Sequence, residues 1–130
     1  MQIIKGNIPK LGPISNAVVK NHMFYTAVVP VYENGSIEIG DFKIQAKLAF
    51  SNLKNLIEDA GGSLKDILQV IVYLTDINDS QSMNKIWSEF FSEPYPNRAT
   101  IGVNELVIPG MKIEIVATAM INSLSEFEGR

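Results

Sequence analysis

The chain has 130 residues, 46% of them hydrophobic, and at about 150 residues per domain that predicts a single domain, 1–130, with one core. Zero cysteines exclude disulfides, thiolate metal sites, iron–sulfur clusters and a cysteine nucleophile, and a lone histidine, His22, excludes a multi-histidine metal centre. Eleven scattered basic residues against fourteen acidic ones, net −3, predict no nucleic-acid partner, since binding a phosphate backbone needs a basic face.

In chain order, Ile3-Ile4 is a short strand candidate, and Asn7–Pro13, with two prolines and a glycine, is a loop. Ala17–Lys20 and Met23–Val29 are β-rich runs, and the Asn21-His22 pair between them suits a tight hairpin turn with positive φ. Asn34-Gly35 predicts a second hairpin, with a type I′ turn and Tyr32 and Ile37 on its flanking strands. From Asp41 onward, Ala46, Ala49, Leu53, Leu56, Ile57 and Ala60 recur at three- and four-residue steps, which predicts an amphipathic helix of about five turns stopped by Gly61-Gly62.

Ile67–Leu74 is apolar on both alternations and predicts a central strand covered on both faces. Asn78-Asp79-Ser80 then offers N-cap oxygens to a second helix. Its stripe is Met83, Ile86, Trp87, Phe90 and Phe91, and Pro94 and Pro96 end it. Asp76, Asn78 and Asp79 lack the glycine and the bidentate glutamate of an EF-hand loop, so they read as caps. Ala99–Val103 and Met111–Met120 close the pattern as strands, and 122–130 is a polar tail. The fold class expected is α+β, a mixed sheet with two helices packed on one face. No leader-like apolar stretch and no run near ~20 apolar residues is present, so the expectation is a soluble, cytoplasmic protein without a membrane partner.

With nucleophiles and metal ligands so scarce, charged residues embedded in apolar strands become the candidates, because burying a charge is costly unless something pairs with it. Arg98 stands at the mouth of a strand and can offer a carboxylate two parallel N–H donors. Glu114, between Ile113 and Ile115, can hold or deprotonate a water. On spacing alone the same two residues also read as a structural ion pair, or Glu114 as a solvated edge residue.

Several segments carry a family likeness. They are Gly12–Val18, Ala60–Leu64 with Leu74-Thr75-Asp76, Asn84–Phe91, Pro96-Asn97-Arg98-Ala99-Thr100 and Lys112–Ala117. In this order the chain resembles the Rid (YjgF-like) reactive intermediate deaminase family along nearly its whole length. The resemblance implies a chorismate-mutase-like fold, a homotrimer whose sheets form a barrel, and ligand clefts between subunits. It implies hydrolysis of small 2-imino acids, of the 2-iminopropanoate and 2-iminobutanoate type, to 2-oxo acids and ammonia without metal or organic cofactor. Arg98 matches the family's carboxylate-binding arginine and Glu114 its water-positioning glutamate, with Thr100 as a further substrate contact. Ile14, Ala27, Val28 and Trp87 are expected to line the cleft.

Four of these positions depart from the family pattern. Ile14 replaces a usual tyrosine, Ala27-Val28 a common Gly-Gln pair, and Thr100 a frequent Cys or Ser. The alternative reading is a non-catalytic protein that binds small carboxylate ligands through Arg98. A trimeric scaffold and, more weakly, an endoribonuclease complete the set.

Overall fold

The structure, a computed structural model, describes residues 1–122. The polar tail expected over 122–130 lies, from residue 123 on, outside the described residues. Ten elements follow one another: β1 (Gln2–Ile4), β2 (Ala17–Lys20), β3 (Met23–Val28), α1 (Phe42–Asp59), a 3-10 turn (Leu64–Asp66), β4 (Ile67–Leu74), a second 3-10 turn (Ile77–Asp79), α2 (Ser80–Phe90), β5 (Asn97–Gly102) and β6 (Ile113–Met120). The strands form one mixed sheet in the order β1-β2-β3-β6-β4-β5. Only β4 and β5 run parallel, and α2 is the crossover that such a pair requires.

Both helices cover one face of the sheet. Alternate residues of the central strands, Phe24 and Val28, Val70, Val72 and Leu74, Ile113 and Ile115, are buried against Ala46, Ala49, Phe50, Leu53, Leu56 and Ile57 of α1 and Met83, Ile86 and Trp87 of α2. The three- and four-residue spacing of α1 thus faces the sheet, and Lys43, Lys47, Lys54 and Glu58 face solvent. Asp41 caps its start by accepting from the Lys43 N–H, and Gly61, at φ +91°, ends it. The Gly62 N–H donates to the Ile57 carbonyl and the Gly61 N–H to the Glu58 carbonyl, the paired bonds of a Schellman end.

The backbone corrects the turn chemistry. Asn21 and His22 both adopt positive φ, +51° and +67°, so they hold the type I′ geometry expected at Asn34-Gly35. At the latter only Gly35 is left-handed. The Gly35 N–H donates to the Tyr32 carbonyl and the Tyr32 N–H to the Ser36 carbonyl, giving a three-residue hairpin loop. Its flanking strands reduce to a single bridge, Val31 to Ile37, because the Asn34 side chain accepts from the Ser36 N–H and hydroxyl and holds the chain as a turn.

β4 also differs from expectation. Its Val70, Val72 and Leu74 face is wholly buried, but Ile71 and Tyr73 look out half-exposed from the opposite face, and Leu68, in the register shift between Ile67 and Gln69, is exposed. The second helix is capped otherwise than predicted. Asp79 makes no side-chain cap bond, and Asp76 instead accepts from the Asn78 N–H in the preceding 3-10 turn. β6 starts at Ile113 rather than Met111, because Gly110 at φ +93° and a bond from the Met111 N–H to the Ile108 carbonyl draw the preceding residues into a turn. Among the described residues no helix is long and apolar enough to cross a membrane.

Candidate functional site

Arg98 and Thr100 on the β5 edge, and Glu114 and Ala27 on the open face of the sheet, form two separate groups of the predicted site residues. Arg98 and Thr100 alternate along β5 with their side chains on the helix side of the sheet, level with Val70 and Val72 of β4. β5 is an edge strand, so both stay half-exposed. Glu114 pairs with Tyr73 on the other side of β4 and lies on the open face, where Ala27, opposite Val116, also sits. Arg98 and Glu114 are therefore about 10 Å apart along the strands, two strand spacings of about 4.8 Å apart across them, and on opposite faces. Within one chain they form no ion pair, so the structural-pair reading falls away.

Arg98 is held entirely by α2. Its Nη2 donates to Asn84 Oδ1 at 2.7 Å, its Nη1 approaches Met83 Sδ at 3.7 Å, and its Cζ stands 4.7 Å from the centre of the Trp87 ring. That ring is fixed in turn by stacking on Phe91 at 4.2 Å and by edge contact with Phe50 at 6.0 Å. Desolvation pushes the guanidinium pKa down, and among the described residues no carboxylate compensates it. The one ion pair there joins Lys47 and Glu89, both exposed.

Glu114 has the complementary electrostatics. Desolvation by burial raises its pKa above the ordinary glutamate value, which makes its carboxylate a stronger base than a solvated one. Among the described residues no three His, Cys, Asp or Glu side chains gather as a metal site would need.

The remaining candidates separate. Ile14, 56% exposed, lies in the loop before β2, two residues from Asn16, whose carbonyl accepts the Thr26 hydroxyl. This puts it beside the Ala27 end of β3. Val28 is 2% exposed and belongs to the core beneath the helices, so it lines no open surface; its parity on β3 turns it away from Ala27. Trp87 is likewise core, with only its face offered to Arg98.

The sequence placed Met83 in the apolar stripe of α2 and Asn84 in the segment of family likeness but linked neither to Arg98, although they stand four and three residues before Trp87 on the same helix face. Two surface grooves, of about 500 and 900 Å³, are lined by the α1 and α2 C-terminal ends and by the 104–112 loop respectively, and neither contains Arg98, Thr100 or Glu114. These three residues lie outside both grooves, on the open face of the sheet and on its edge strand.

Six strands in one mixed sheet with two helices on one face make this an α+β protein of the chorismate-mutase-like kind. The profile of the endoribonuclease L-PSP family matches residues 5–121, and the chain belongs to this family, also known as YjgF/RutC/Rid. A RutC family protein of Pyrococcus abyssi is 42% identical over 98 residues, 74% of this chain and 77% of its own length. The 2-iminobutanoate/2-iminopropanoate deaminase of Dermatophagoides farinae is 30% identical over 113 residues, covering 85% of this chain and 88% of that protein. Among solved structures, Escherichia coli TdcF with bound serine superposes with a TM-score of 0.84 at 32% identity, over 92% of this chain and 98% of that one.

Proposed function

We propose that this protein is a single-domain Rid-like hydrolase that deaminates small 2-imino acids, in a cleft formed where one subunit's β5 edge meets another subunit's open sheet face. One observation carries this reading: Arg98 with Thr100, and Glu114 with Ala27, are two charged half-sites that cannot meet inside one chain. A homotrimer, the assembly the family resemblance implies, would bring the halves of neighbouring subunits together. The half-exposed apolar residues Ile71, Tyr73 and Val116 give the open face something to bury. The relatives named as imine deaminases and the serine seen in TdcF support a small carboxylate as ligand.

The chemistry asks little of the protein. The free N–H donors of Arg98 clasp the substrate carboxylate in a bidentate pair and orient the C=N carbon. Glu114 takes a proton from a water as its oxygen bonds to that carbon. Glu114 returns that proton to the imine nitrogen, and the resulting amino-alcohol collapses as its hydroxyl proton moves to nitrogen and the C–N bond breaks, releasing ammonia and leaving a 2-oxo acid. Thr100, two residues from Arg98 on the same side of the strand, offers its hydroxyl and main chain to the same ligand. An imine is already electrophilic, so the step calls for neither cofactor nor covalent nucleophile. A cytoplasmic setting, beside the enzymes that release such imines, belongs to the same proposal.

The test couples a threonine or serine dehydratase to this protein with semicarbazide as the imine trap, and follows oxo-acid formation. Acceleration by the protein, cut about 30-fold or more in Arg98→Ala (~2 kcal/mol of transition-state binding), is the expected result. No acceleration by folded protein would sink the hydrolase and leave the non-catalytic carboxylate binder, an outcome to which Ile14 and Ala27 at the open-face half-site would then contribute.

A further inference from the structure

Arg98 is set apart by the neutrality of what surrounds it. A half-buried guanidinium ordinarily pairs with a carboxylate, because its desolvation is otherwise uncompensated. Here each contact is to an uncharged group: Asn84 Oδ1, Met83 Sδ and the Trp87 ring face. Residues 83, 84 and 87 sit on one side of α2, so a single helix supplies the floor, the wall and the hydrogen-bond acceptor. The acidic residue of that helix, Glu89, is turned toward Lys47 instead.

We propose that Asn84, with Met83 and Trp87, forms a positioning cradle that orients the Arg98 guanidinium while leaving its charge available to a ligand carboxylate, and that the absence of charge at position 84 is what selects for an anionic ligand. The proposal rests on the reading of Arg98 as a carboxylate-binding residue. Asn84 fixes the rotation of the fork by accepting from Nη2, and Trp87 fixes its plane. The remaining N–H donors have no partner among the described residues, and these are the ones a carboxylate would take.

An aspartate in place of Asn84 is nearly the same shape and would hold Nη2 more strongly, through a charge-assisted bond. It would also neutralise Arg98 and repel the ligand. The two effects have opposite signs, which separates a charge-preserving cradle from a merely structural contact. Asn84 is exposed on the helix, so its substitution leaves the core intact.

The experiment measures 2-oxobutanoate binding by calorimetry, with melting temperatures alongside, for the intact parent protein and for Arg98→Ala, Asn84→Asp and Asn84→Ala. Arg98→Ala is expected to lose binding. Asn84→Asp is expected to raise Kd about tenfold or more, the scale of one hydrogen bond to a charged group, while melting no lower than the parent. Asn84→Ala should weaken binding by less than Asn84→Asp does. An Asn84→Asp protein that binds like the parent, or better than Asn84→Ala, overturns the cradle while the role of Arg98 stands. Undiminished binding by Arg98→Ala, or no binding by the parent, overturns the carboxylate reading of Arg98 and the cradle with it.

Discussion

Glu114 shows how one side chain's surroundings set both its chemistry and its contribution to stability. Burial raises its pKa, so a rate that needs the carboxylate as base falls as pH drops through that raised value. The acid limb of kcat/KM should therefore lie above the ordinary glutamate pKa of about 4.3. A pH–rate profile checks this, and Glu114→Gln should abolish the limb together with the activity. For folding the sign is reversed. A group that holds its proton more tightly when folded stabilises the protein below its unfolded pKa, and that contribution is lost as pH rises through the folded one. Glu114→Gln should thus melt no lower than the parent at neutral pH; a clear loss of thermal stability would mean that the carboxylate has a favourable partner. The strand sequence around Glu114, apolar on both sides, was enough to single it out. Nothing in that pattern told whether Arg98 lies beside it, because face and register depend on which strand comes between them.

At the scale of elements, buried polar side chains tie the helices to the loops. Gln45 of α1 is fully buried; its Nε2 donates to the carbonyls of Gly40 and Gly110, and its Oε1 accepts from the Lys112 N–H. It thereby fixes the turn that leads into β6 and so the placement of Glu114. Gln45→Leu keeps the bulk but strands the Gly110 carbonyl and the Lys112 N–H, while the Gly40 carbonyl keeps Lys112 Nζ, and should cost about 2–3 kcal/mol in urea unfolding. Gly110, at φ +93°, has the same turn in its grip: an added Cβ would stand 2.8 Å from Ile39 Cβ. Gly110→Ala should accordingly destabilise by about 1–3 kcal/mol in the same measurement. The helical period of α1 and the Gly61 stop were legible in the sequence because both are local. Gln45 was not, since a glutamine on an apolar face looks like any interruption of the stripe until the backbone it serves, 65 and 67 residues away, is in place.

For the whole molecule, the two faces of one sheet have different fates. One is closed by α1 and α2; the other leaves Tyr25 49% exposed, with Ile71, Tyr73 and Val116 half-exposed on the same face. The proposed trimer predicts a sedimenting mass three times that of the chain. It also predicts that Val116→Arg, at the centre of the open face, yields a folded monomer without imine hydrolysis, since neither half-site can then find its complement. Circular dichroism together with analytical ultracentrifugation reads both. A parent protein that sediments as a monomer would remove the intersubunit cleft from the mechanism.

What the residues determined by themselves is whatever depends on near neighbours or on composition. The periods of the helices, the alternation of the strands, the Gly61 end and the scarcity of nucleophiles belong here, as does the choice of Arg98 and Glu114 as the charges that apolar strands tolerate poorly. Only the tertiary structure decided which strand lies between them, that Val28 and Trp87 go to the core, that Asn34-Gly35 does not take the doubly left-handed turn, and that within the chain β4 is covered on one face alone. The reason is that a strand's own sequence sets which residues share a face, whereas strand order and helix placement set what each face meets. That second choice is made by long-range packing, in which a buried residue's partners are distant along the chain.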